Sequence, residues 1–155
     1  YIEIVKHRLY RPEEFGDEAR YSGQKTVYTL LYKLLQDFSI FFPFITEEIY
    51  QELYHDKKSI HLTEIKELNN SFDKEMELGD QIIEIISIVR GEKSNNNLSL
   101  KTFINVLDLS VSIELKDAIE KSIKDFKATL FIKELKLQEI NKKYKVNKII
   151  LDRGV

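Results

Sequence analysis

Apolar positions recur at helical spacing through most of the chain. From Gln24 onward, Val27, Leu30, Leu31, Leu34, Leu35 and Phe38 follow the i, i+3, i+4, i+7 pattern of an amphipathic helix. Pro43, which lacks an N–H and crowds the preceding turn, ends or kinks it. Ahead of that helix, Ile2, Val5 and Leu9 share one face up to Tyr10, so the chain opens on a helix end. The stretch from Arg11 to Gly23, with Pro12 and Gly16 among charges, reads as a loop. Behind Pro43, Thr46 is the expected N-cap of a third helix, and Glu47 and Glu48 complement its dipole. Ile49, Tyr50 and Leu53 give that helix its buried face, and Phe38, Phe41, Phe42 and Phe44 are expected to fill the core. Three helices with short joins predict an antiparallel bundle.

After Tyr54 the pattern changes. His55–Lys58 is polar, Ser59–Ile65 alternates as a short extended segment, and Glu67–Asp73 suits a linker. Lys74–Arg90 carries Met76, Ile82, Ile83, Ile86 and Val89 as a fourth helix, with Gly91 as its C-cap. Ser94–Asn97 is a loop. Phe103–Leu109, rich in β-branched and apolar residues, predicts a strand. Ser112 caps a helix running to Leu130, and Ile132–Ile140 and Lys145–Leu151 are two further strand candidates. The expected fold is mainly α: an antiparallel helical bundle over residues 1–68, then a helix plus a small α+β unit over residues 69–155.

Composition narrows the chemistry. The 155 residues are 43% apolar and include no Cys, which excludes a disulfide framework, a thiolate zinc site and a Cys nucleophile. A reducing, intracellular setting is the natural expectation. No apolar run reaches membrane-spanning length. The single Met is Met76, and Tyr1 begins in the middle of a helical pattern, so the chain is expected to be part of a longer protein. A net charge of −2 excludes coating of nucleic acid through bulk charge. That charge is unevenly shared, at −3 up to Glu67 and +1 from Leu68 onward.

Candidate catalytic groups do not assemble. His7, His55 and His61 lack the i, i+4 spacing of a helical metal pair. The five Gly form neither GxGxxG nor GxxxxGK[ST]. Glu47 and Glu48, adjacent on a helix, point about 100° apart and do not make an acid/base pair. No catalytic, cofactor-binding or metal site is expected. The stronger signal is basic residues beside aromatic ones: Lys6, His7, Arg8, Tyr10 and Arg11, followed by Arg20, Tyr21 and Lys25. Cations of this kind hold phosphates, and aromatic faces stack on unpaired bases. A charged, solvated helix end explains the same cluster. The six Lys within Lys133–Lys148, against Glu134 and Glu139, are equally open, since Lys on an edge strand also deters aggregation.

Three strings together carry a family resemblance. They are Tyr1-Ile2-Glu3-Ile4-Val5-Lys6-His7-Arg8-Leu9-Tyr10, then Phe42-Pro43-Phe44-Ile45-Thr46-Glu47-Glu48-Ile49-Tyr50, then Ser59-Ile60-His61-Leu62. Their order and spacing resemble the helical anticodon-binding domain of class I aminoacyl-tRNA synthetases of the valine, isoleucine and leucine group. The opening string and Ser-Ile-His-Leu are most similar to the valyl type, in a form seen in archaea; the isoleucyl type is the alternative within the group. The resemblance covers residues 1 to about 67. It departs from the family at Thr63-Glu64-Ile65-Lys66, where Trp-Pro is usual, at Tyr50, often Trp, and in lacking a C-terminal heptad arm.

The resemblance implies tRNA, most simply tRNA-Val, as partner, bound at the anticodon stem and loop. Lys6, Arg8, Tyr10, Arg11, Arg20 and Lys25 are the residues expected to contact it, on their position in the basic–aromatic cluster. It also implies a cytoplasmic, monomeric parent chain whose catalytic domain ligates valine using ATP with Mg. This chain carries neither a His-Ile-Gly-His-like nor a Lys-Met-Ser-Lys-Ser-like string, so it is expected to be inactive alone. A helical docking scaffold without RNA affinity is the rival expectation.

Overall fold

The computed structural model describes residues 2–55, 58–65, 71–141 and 143–152. The chain is mainly α with one small mixed sheet. It divides into two compact units, one built from residues 8–70 and the other from residues 3–7 together with residues 71–155. Helix α1 (Ile2–Tyr10) contributes residues to both.

The helical unit continues with α2 (Pro12–Phe15), α3 (Asp17–Phe38), α4 (Pro43–Tyr54) and a 3-10 turn at Ile60–Leu62. The expected loop up to Gly23 is therefore largely helical. The chain breaks at Gly16, whose φ of 89° suits glycine alone. Gly23 lies inside α3 and does not end a helix; an added β-carbon would stand 3.4 Å from Leu9 Cδ2, an ordinary contact distance, so this position faces α1. Helix α4 starts at Pro43, three residues before the expected cap. Proline is tolerated at that first position because its missing N–H would have no helical acceptor there. The Thr46 hydroxyl instead donates back to the Phe42 carbonyl at 2.8 Å.

Leu35, Tyr50 and Ile60 form the buried centre of this unit, surrounded by Leu31, Tyr32, Ile49 and Tyr54. The Tyr54 ring lies 4.4 Å from Tyr28 and 5.3 Å from Tyr50, centroid to centroid, extending that centre with aromatic contacts. The Phe residues expected in the core are not there. Phe41 is 73% exposed and Phe44 90%, with Phe38, Phe42 and Leu53 about half exposed. These Phe lie at the reversal between α3 and α4, beyond the level at which Leu35 and Tyr50 meet. The expected extended segment after Ser59 is the 3-10 turn, capped by the Ser59 hydroxyl, which accepts from the His61 N–H. The expected linker from Glu67 falls mostly outside the described residues.

The α+β unit comprises α5 (Asp73–Asn95), β1 (Ile104–Val111), α6 (Ile113–Lys121), α7 (Ile123–Leu130), β2 (Ile132–Glu139) and β3 (Tyr144–Leu151). Strand order is β2-β1-β3, with β1 parallel to β2 through the α6–α7 crossover and antiparallel to β3. Helix α5 runs past Gly91; its end is marked by Asn97, which takes the left-handed conformation (φ 54°) often given to glycine. The helix expected from Ser112 to Leu130 is interrupted at Ser122, and Ser112 does cap it, accepting from the Leu115 N–H.

Ile85, Ile86 and Val89 of α5, Leu115 and Ile119 of α6, and Phe126 and Leu130 of α7 pack on Ile104, Leu107, Leu109 and Val111. In β3, Tyr144 and Val146 face this core and then Ile149 and Leu151 do. The change of phase coincides with a register shift near Asn147, as a bulge requires. The opposite sheet face is polar: the Asn147 side chain there donates to Asp108 Oδ1 at 3.0 Å and Ser110 Oγ at 2.8 Å.

Candidate nucleic-acid interface

Two of the family-like strings are joined by one carboxylate. Glu47, on α4, accepts from the Ser59 hydroxyl and the Ile60 N–H, both at 2.9 Å, and from Gln51 Nε2 at 2.9 Å. Burial alone would push its carboxyl up, but the donors from Gln51, Ser59 and Ile60 outweigh it and hold it below the ordinary value. Gln51 also donates to the Lys58 carbonyl, and a His61 ring nitrogen lies 3.3 Å from the Pro43 carbonyl. Gln36, buried on α3, donates to Thr63 Oγ1 at 2.9 Å. These residues fasten the 3-10 turn to α3 and α4. Glu47 is thus a partly buried clamp on the 3-10 turn, not the dipole complement expected at a helix start.

The basic cluster is divided by the fold. Lys6 belongs to the α+β unit, with its ammonium donating to Glu3 at 2.6 Å. That bond, together with the Lys6 charge, holds the Glu3 carboxyl below its ordinary range. Arg8, Tyr10, Arg11, Arg20 and Lys25 belong to the helical unit. Arg8 side-chain atoms come within 3.9 Å of where a Gly23 β-carbon would stand; Arg20 lies one turn before that contact and Lys25 two residues after it. Tyr10 is 81% exposed at the end of α1, and Tyr21 is exposed on α3. Arg11 precedes α2 and pairs with Glu14 at 3.1 Å. Exposed cations and tyrosine rings therefore share the α1–α3 region, an arrangement able to hold phosphates and stack unpaired bases.

The Lys133–Lys148 stripe occupies β2 and β3, the two edges of the sheet. Lys133 pairs with Asp152 at 2.8 Å, Lys143 with Glu77 at 3.0 Å and Lys136 with Glu134 at 3.5 Å; Lys142 lies outside the described residues. Much of its charge is locally balanced, which fits edge protection. Among the described residues no three His, Asp or Glu side chains group as metal ligands, and no helix is long and apolar enough to cross a membrane.

Sequence reasoning missed three features. Glu47 reads as a surface acid because its donors come from residues 59 and 60. Lys93 is fully buried; the signal was its position four residues after Val89 and seven after Ile86, on the apolar stripe of α5. Arg90 and Lys101 stand beside Lys6 in one cleft although they are far from it in the chain.

A family model described as the anticodon-binding domain of tRNA ligase matches residues 1–108, through α5 and into β1. The chain is 36% identical over 154 residues to a valine–tRNA ligase of Rickettsia felis, covering 97% of this chain and 17% of that protein. A valine–tRNA ligase of Rickettsia canadensis is 34% identical over 152 residues, covering 97% and 18%. One from Methanopyrus kandleri is 33% identical over 141 residues, covering 89% and 15%. The chain thus spans less than a fifth of the length of these relatives.

Proposed function

Since this chain belongs to the family of anticodon-binding domains of tRNA ligases, we propose that it is the part of a valyl-type tRNA ligase that holds the anticodon stem and loop of tRNA-Val. The observation that carries the valyl reading is the similarity to valine–tRNA ligases along nearly the whole chain. In this reading residues 1–68 form the anticodon-binding bundle, and residues 69–155 are the helix and α+β unit appended to it. The parent chain, a cytoplasmic monomer, activates valine with ATP and Mg in its catalytic domain and transfers it to tRNA. Here Arg8, Arg11, Arg20 and Lys25 hold backbone phosphates, with Lys6 contributing from the α+β unit, and Tyr10 offers an exposed ring to an unpaired base.

Filter binding of tRNA-Val transcripts with native and swapped anticodons tests this. We expect binding to weaken when the anticodon is changed; affinity indifferent to the anticodon overturns the reading. Arg8→Ala and Arg11→Ala should each lower the magnitude of the salt slope by about 1. A second reading, docking, rests on a specific observation: Ile40, Phe41, Phe42, Phe44 and Ile45 are all exposed at one end of the helical unit. In the parent chain this end is the surface we assign to contact with the catalytic domain.

A further inference from the structure

The α+β unit contains a cleft of about 340 Å³ bordered by Lys6 and His7 of α1, Arg90 of α5, Lys101 of the segment before β1, and Thr129 of α7. Its charge is unbalanced. Glu3, a carboxylate that also lines it, is already bonded to Lys6 and lies within the electrostatic reach of Arg90 and His7. Arg90 and Lys101 make no ion pair among the described residues. A larger cavity of about 750 Å³ near the start of α5 differs in this respect, because Lys74–Glu114 and Lys143–Glu77 pairs span it.

Two further features mark the smaller cleft. Thr129 is only 5% exposed, yet among the described residues its hydroxyl has no hydrogen-bond partner, which is costly unless something completes it. The walls are also fixed from beneath. Buried Lys93 donates to the Leu100 carbonyl at 3.0 Å and the Leu130 carbonyl at 2.8 Å, with its ammonium 5.6 Å from the Phe131 ring centroid. Leu100 and Phe131 both line the cleft. Phe131 closes the C-terminus of α7 in the left-handed conformation, with φ 58°. Burial, reinforced by the Arg90 charge, pushes the Lys93 ammonium down to about 8, so it remains mainly cationic at neutral pH.

We propose that this cleft binds a phosphate group, with Arg90 and Lys101 as its charged donors, Lys6 and His7 beside them and the Thr129 hydroxyl completing the shell. Donors reach the cleft from four separate segments, which suits the divergent oxygens of a tetrahedral anion better than a planar carboxylate. That the phosphate comes from an RNA backbone rests on the function proposed above; a free nucleotide is the other source of the same chemistry.

The test uses the full chain and two probes, inorganic phosphate and a tRNA-Val transcript. Phosphate should shift the amide resonances of Arg90, Lys101 and Thr129, and Arg90→Gln/Lys101→Gln should abolish those shifts while leaving the rest of the spectrum in place. Thr129→Val, which keeps the shape and removes the hydroxyl, should weaken phosphate binding about fivefold without lowering the melting temperature. For the transcript, the double variant should bind about tenfold more weakly at low salt, with a salt slope smaller by roughly 1.5. If phosphate leaves the cleft amides unmoved and the double variant binds transcript like the wild type, the cleft proposal is overturned while the RNA function stands. If phosphate binds here but no transcript binds to the chain, the site stands and the RNA function fails. Loss of phosphate binding with unchanged transcript affinity assigns the cleft to a free phosphate and overturns its RNA source.

Discussion

The two units solve the same burial problem in different ways. In the α+β unit, three helices cover one face of a sheet, and residues from Ile85 to Ile132 close a continuous apolar core. In the helical unit, only Leu35, Tyr50 and Ile60 are closed over as an apolar centre among the described residues, and a run of aromatic side chains faces outward. The first unit is held chiefly by removal of apolar surface from water. The second depends more on directed bonds, with Glu47 and Gln36 tying its 3-10 turn in place. An element that does not bury its own apolar end is suited to a larger assembly, where that end is covered.

The comparison is sharpened most by Phe126→Ala in the α+β core. Loss of a fully buried ring should cost about 3–5 kcal/mol in urea denaturation, read from probes in that unit; a cost near zero would break the contrast. Glu47→Ala comes next, lowering the melting temperature of the helical unit by several degrees. Because the Glu47 carboxyl is held below its ordinary value of 4.5, its stabilisation is present above that pH and is lost as pH falls through the folded-state value. A wild-type acid transition that is blunted in Glu47→Gln checks the sign. The smallest effect is expected from Phe44→Ser, within about 0.5 kcal/mol, accompanied by reduced binding of a hydrophobic dye. Strong destabilisation by this change would show that the aromatic end is packed after all.

Legibility followed the range of the determining contacts. Strands β1 to β3 and the Ser112 cap could be read because β-branched, apolar composition and capping are local signals. The helical stripe from Val27 to Phe38 was correct in period but overstated burial, since periodicity shows which residues share a face and not whether a partner covers it. Gly23 reads as a loop residue because glycine is a local break signal, whereas here it sits buried inside α3 against α1. The basic cluster read as one patch because its residues are adjacent in the chain, whereas the fold assigns Lys6 to one unit and Arg8 to the other. The basic cleft was invisible for the opposite reason: Lys6, Arg90 and Thr129 are assembled only by tertiary structure.

Residues 3–7 belong to the α+β unit although residues 8–70 intervene before the rest of it begins. The helical unit is therefore an excursion from a closed ring of chain. Ring-closure entropy grows only logarithmically, by about 0.6 kcal/mol for each doubling of loop length. The excursion can lengthen or trade helices with little thermodynamic effect on the unit it leaves. The folding rate bears the constraint instead: Ile4 reaches the α+β core only across that whole interval, a contact of large sequence separation of the kind that slows folding.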